Sequence, residues 1–108
     1  MQNRQEVAMG FLLRMGDPAY RLEGENAATT NVDEARRWGA TYERLIEFKK
    51  AMLHLAHRFA DDSEPEVAHA IRDADIILLE MQMSRFQARR DYWKIREAEL
   101  TGRKRGAA

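Results

Sequence analysis

Hydrophobic positions recur with a helical period along most of this chain. Ala8, Phe11, Leu12 and Met15 stand at i, i+3, i+4 and i+7, which predicts a first helix over residues 2–15 with Gly16 as its stop. Asp17-Pro18 reads as an N-cap followed by proline at the first helical position, and Gly24 closes a short turn of helix. Residues 24–31 are small and polar and read as a loop. Asn31 and Glu34 have capping-box spacing and open a second helix over residues 32–60. Residues 61–65 break the pattern. Ser63 and Glu66 then repeat the capping-box spacing, with Pro65 in the first turn, and predict a third helix over residues 64–101. At about 1.5 Å per residue these helices are about 42–45 Å and 53–55 Å long. The short break between them predicts an antiparallel hairpin. The fold expected is therefore all-α: a long antiparallel helical hairpin with a shorter N-terminal helix. It would be completed as a three-helix bundle or, by dimerisation, as a four-helix core. Residues 1–101 form a single helical domain in this reading, and 102–108 a basic, disordered tail.

The second helix is plainly amphipathic. Trp38, Leu45, Phe48, Met52, Leu55, Ala56 and Phe59 share one face, widened by Tyr42, Ile46 and Leu53. Arg36, Glu43, Glu47, Lys50, His54, His57 and Arg58 oppose it. The third helix has two apolar faces. Val67, Ala70, Ala74, Ile77, Leu78, Met81, Ala88, Tyr92 and Ile95 are small or aliphatic and are expected to pack on the second helix. Ala68, Ile76, Leu79, Met83, Phe86, Trp93 and Leu100 form the other face, too large an apolar patch to leave bare. Ile76, Leu79, Met83, Phe86 and Trp93 are accordingly the expected partner or homodimer interface, covered by the first helix or by a second copy. The polar strip is His69, Asp73, Glu80, Ser84, Gln87 and Asp91, which sequence does not assign to solvent or to a ligand.

Composition narrows the function classes. The 108 residues include no cysteine, which excludes disulfides, thiol catalysis and cysteine-based zinc sites and suits a cytoplasmic protein. No apolar run approaches the length of a membrane span, and residues 7–13 lack the features of a signal peptide. Net charge is zero, but it is unevenly spread. Residues 61–80 carry seven acidic groups against Arg72, whereas residues 81–108 carry eight basic groups against three acidic ones. That polarity complements the dipole of a long helix. It also offers Arg85, Arg89, Arg90, Lys94 and Arg96 as candidate contacts to phosphate or to an acidic partner. Arginine outnumbers lysine fourteen to four, a bias associated with high-GC bacterial or phage genomes.

Candidate chemistry is sparse. His57, Glu66 and His69 would lie at similar heights near the turn, and Glu66-x-x-His69 has the spacing used in carboxylate-bridged metal bundles. The outward face of His57 and the nearby Lys50 and Arg58 argue against a cation there. Ser63 and Ser84 have no local triad, and the glycines do not form a phosphate loop. The expectation is thus a non-catalytic helical module with no cofactor, a regulatory or assembly protein whose partners are itself and another protein. A nucleic-acid-associated protein using the basic end of the last helix, and a metal-binding bundle with ferritin-like chemistry, are the alternatives.

Overall fold

A computed structural model describes residue 17 and residues 20–106, with side chains to residue 103. Helices account for most of it, and no strand occurs among the described residues. The expected first helix, residues 2–15, lies outside them. Helix α1 spans Val32–Asp61, α2 spans Pro65–Ala70, a π-helical turn spans Ile71–Ile76 and α3 spans Ile77–Gly106. None of these is long and apolar enough to cross a membrane.

The start of α1 follows the N-cap half of its sequence signal, while the Asn31 backbone N–H donates to Thr29 Oγ1 rather than to the Glu34 carboxylate. Asn31 is the N-cap, and its Oδ1 accepts from the Glu34 backbone N–H at 3.1 Å. The Glu34 carboxylate accepts from the Thr29 hydroxyl at 2.9 Å, so it ties the incoming loop to the helix. The second expected cap does not form. Glu64 is the N-cap of α2 without a side-chain bond, and Ser63 Oγ instead donates back to the Phe59 carbonyl at 2.6 Å. Pro65 does occupy the first turn. Nor does Gly102 end the last helix, which continues to Gly106. One glycine costs a helix about 1 kcal/mol. The basic residues that follow favour helix and lie at the negative end of its dipole. Residues 20–24 form no helical turn. Gly24 instead takes φ 83° in a tight turn closed by the Glu25 N–H to Leu22 carbonyl bond, a conformation that costs glycine no steric strain.

Helices α1 and α3 lie side by side and antiparallel, as the pairings Arg36–Glu97, Tyr42–Phe86 and Glu43–Lys94 show. Ala35, Gly39, Tyr42 and Ile46 are buried along α1 at alternating steps of four and three residues. On α3 the seam is Leu79, Phe86, Trp93 and Leu100, spaced by sevens, with Met83 partly buried beside it. Both series are coiled-coil periodicities and keep the two stripes in contact along the length of the pair. Gly39 makes room for Trp93, whose Cβ lies 3.8 Å from where an alanine Cβ would stand.

The π-turn has a cause in this seam. Ala68 and Ile76 are both buried, yet they are eight residues apart where the repeat allows seven. A π-turn absorbs one extra residue. Placed over residues 71–76, it returns both flanking helices to the same side of α1.

Candidate functional site

The seam buries the opposite face of the last helix from the one expected. Ile76, Leu79, Phe86 and Trp93, expected as a partner or dimer surface with Met83, are inside the single chain. Val67, Ile77 and Ile95, expected against the second helix, are exposed. The reason is size. The face with Phe86, Trp93 and Leu79 carries the bulkier side chains, whereas the face of Val67, Ile77, Leu78, Met81, Tyr92 and Ile95 is interrupted by Ala70, Ala74 and Ala88, and burial scales with apolar area.

The apolar surface left open is therefore elsewhere. The hydrophobic face of α1 is too wide for one neighbour, and α3 covers only part of it. Phe48, Leu55 and Phe59 are 59%, 63% and 64% exposed, and Met52 is also at the surface. Met52, Leu55 and Phe59 line a groove of about 710 Å³ near the connected end of the helices. Its floor and walls are Met52, Leu55, Ala56, Phe59, Leu78 and Leu79, with Ile71 and Asp75 from the π-turn at the lower end. Lys49 and Gln82 line its upper end. Burial and the neighbouring charge of Arg85 hold the Lys49 amine below its usual pKa. The groove is thus apolar along its length and positive at the top.

Above it, the same trough between the helices is filled by the loop that precedes α1. Glu25 is the hub. Its side chain is fully buried and accepts from Tyr42 Oη at 2.5 Å, Trp93 Nε1 at 2.6 Å and the Leu22 backbone N–H at 2.9 Å. Arg89 donates to the same carboxylate through Nη2 at 2.6 Å and Nε at 3.1 Å. Burial alone would raise the Glu25 pKa, but the hydrogen bonds from Tyr42, Arg89, Trp93 and Leu22 outweigh it and lower the value. Burial and the Glu25 carboxylate push the Tyr42 phenol up to about 12. Further up, Tyr92 Oη donates to the Ala27 carbonyl at 2.5 Å, and Arg96 Nη2 to the Thr29 carbonyl at 3.0 Å. The loop is pinned by side chains at each turn of α3.

This arrangement accounts for most of the basic residues singled out in the sequence. Arg89 and Arg96 hold the loop. Arg85 is buried between the rings of Tyr20 and Phe86, 4.7 and 4.6 Å from their centroids. Its Nε and Nη1 have no hydrogen-bond partner among the described residues. Burial lowers its pKa, against the opposing influence of Tyr42, Tyr20 and Glu25. Arg90 and Lys94 reach the surface and face Glu43 at 3.6 and 3.0 Å. Of the five, only these two present charge outward. Glu25 itself carried no sequence signal beyond being a lone carboxylate in a run of small residues.

The candidate metal ligands do not converge. His57, Glu66 and His69 are all exposed, and no group of three histidine, aspartate or glutamate side chains among the described residues is placed to hold a metal ion. Along the polar strip, His69, Asp73, Glu80, Ser84 and Asp91 face solvent and Gln87 is half-buried. Compared with known proteins, the chain matches no protein-family model, no curated protein and no solved structure.

Proposed function

We propose that this chain is a helical protein–protein interaction module rather than an enzyme, and that its working surface is the apolar groove at the connected end of the helix pair. The occupant is an amphipathic helix of a partner protein, apolar at i, i+3, i+4 and i+7, with an acidic residue placed against Lys49. It would complete the pair as a bundle. One observation carries the reading: Leu55 and Phe59 stay more than half exposed in a groove that the other described residues leave open, and Phe48 is exposed on the same helix. Soluble surfaces rarely leave so many large apolar groups together without a partner. A groove walled by two helices has the shape and chemistry of helix-in-groove recognition. Methionine at its edge suits a surface that adapts to its ligand. The positive upper end supplies the charge complementarity that sets direction.

Photo-crosslinking in cells tests this. A photoreactive residue replaces Leu55 in one version of the chain and Ile95, exposed on the far face, in another. We expect a discrete adduct from position 55 only, lost in the Phe59→Asp variant and reproduced with the purified partner. Equal labelling from both positions, or an adduct indifferent to Phe59→Asp, refutes the reading. An adduct of twice the chain mass would instead make the occupant a second copy, a homodimer through a different surface from the Ile76, Leu79, Met83, Phe86 and Trp93 face expected from the sequence.

A further inference from the structure

We infer that Arg85 is the anchor for the partner's acid: a carboxylate on the docked helix binds between Arg85 and Lys49, once the Tyr20 ring swings off the guanidinium. The inference rests on the groove being the docking site and names the residue that receives the partner's charge. Its own support is a repeat with one member missing. Arg89 and Arg85 lie about one turn apart on α3, and both are buried. Arg89 is matched by Glu25, which also accepts from the Tyr42 hydroxyl of α1. Lys49 follows Tyr42 by seven residues, so it lies on the same side of α1, one layer lower, and lines the head of the groove. Gln82, three residues before Arg85, lines the groove as well, which places Arg85 directly above its head. The two cations of this layer are present. The acid is not.

No hydrogen bond among the described residues satisfies Arg85 Nε or Nη1, although both are buried. Glu25, whose charge is felt there, has its carboxylate engaged by Arg89, Tyr42, Trp93 and Leu22. A charge held out of water is costly unless it is paired and hydrogen-bonded. The rings of Tyr20 and Phe86 offset part of that cost through cation–π contact. Lys49 is in a similar state, for the charge that perturbs its amine is that of Arg85 and not that of an acid. Two adjacent cations disfavour each other, and one carboxylate between them relieves both. Access turns on Tyr20. Phe86 is 5% exposed and Tyr20 37%, so Phe86 forms the inner side of the sandwich and Tyr20 the outer. Turning that one ring exposes the guanidinium to a ligand. An acid at the upper end of the partner's apolar stripe then takes charge-assisted hydrogen bonds from both side chains, in the way that Glu25 takes them one layer higher.

The probe is N-acetylglutamate α-amide, which carries one side-chain carboxylate, added at constant ionic strength to the isotope-labelled full chain. We expect saturable shifts of the Arg85 Nε–Hε and Lys49 amide signals that the neutral glutamine analogue does not produce. Read at Lys49, binding should weaken at least about tenfold in Arg85→Met, the loss expected when one side of a desolvated charge pair is removed. It should tighten in Tyr20→Ala, which takes away the cover. Arg85→Met should itself unfold at no lower urea concentration than the wild type, because it removes a charge that the fold leaves unpaired. The inference is overturned by an absent shift, by an equal response to the glutamine analogue, or by binding that survives Arg85→Met. Weaker binding in Tyr20→Ala overturns it too, and a clearly lower urea midpoint in Arg85→Met makes that residue structural instead. The adduct from position 55 separates the two levels. If it is undiminished in Arg85→Met, the groove remains a helix receptor and its anchor is not Arg85. If the unaltered chain gives no adduct while the probe still binds, the carboxylate site stands and the docking reading fails.

Discussion

Replacing Glu25 with alanine removes the acceptor for four donors at once. Arg89 is left with a side chain only 6% exposed and no counter-ion, and Trp93 Nε1 and the Tyr42 hydroxyl lose their partner. Breaking a buried ion pair from one side costs about 3–5 kcal/mol, because the remaining charge is stranded without water. Each stranded neutral donor adds about 1 kcal/mol or more, less whatever water the emptied site admits. We expect a loss of about 4 kcal/mol in urea unfolding followed by tryptophan fluorescence. That is a fall in Tm on the order of 15–25 °C for a domain of this size. Glu25→Gln keeps the shape and one acceptor oxygen and should lose less. Glu25→Leu combined with Arg89→Met, which removes both charges, should recover much of the difference. A loss below about 1 kcal/mol for Glu25→Ala, the range of an ordinary surface substitution, would refute the assignment of Glu25 as the hub.

Acid should act through the same group. Because the folded-state pKa of Glu25 is lowered, its contribution is present above the unfolded value of about 4.3 and is lost as pH falls through the folded value. Stability of the wild type should therefore fall below about pH 4 more steeply than that of Glu25→Gln, as read by urea midpoints across the acid range. Tyr42 predicts the opposite limb. Its folded pKa is raised to about 12, so its contribution is complete below about pH 10 and disappears between there and 12. Tyrosinate absorbance should show a late-titrating phenol that is missing in Tyr42→Phe. Gly39→Ala should stabilise the chain by about 0.5–1 kcal/mol, since the new methyl meets Trp93 Cβ at an ordinary 3.8 Å and helix propensity improves. A lower unfolding midpoint in that variant would mean the helices are pressed closer at Gly39 than the geometry allows.

Local chemistry made the helices legible in the sequence, and its range explains what was not. The Asn31–Glu34 cap, the break at residues 61–64 and Pro65 act over a few residues, and the corresponding expectations agree with the structure. Facing is a tertiary choice. Between Ile76 and Met83 the chain is apolar nearly all round, so periodicity admits two packings, and the larger side chains decide which is buried. The sevenfold spacing of Leu79, Phe86, Trp93 and Leu100 was the available clue. Glu25 finds Arg89 and Trp93 across 64 and 68 residues, a distance at which no motif operates. Ser63 shows a smaller lesson. A capping-box spacing is only an opportunity, and the Phe59 carbonyl competed for the same hydroxyl.

The π-turn at residues 71–76 has a consequence for how such a chain tolerates change in length. An inserted residue in an uninterrupted helix rotates everything beyond it by about 100°, which would carry Leu79, Phe86 and Trp93 off the seam. Here the surplus residue is confined to one turn, so the helix on either side keeps its own alignment. The connected end, with its groove, and the far end, with its pinned loop, are thereby separated as hereditary units. Length and composition near the groove can drift without disturbing the charge cluster around Glu25. The groove can diversify at one end of the rod while the other end holds the fold.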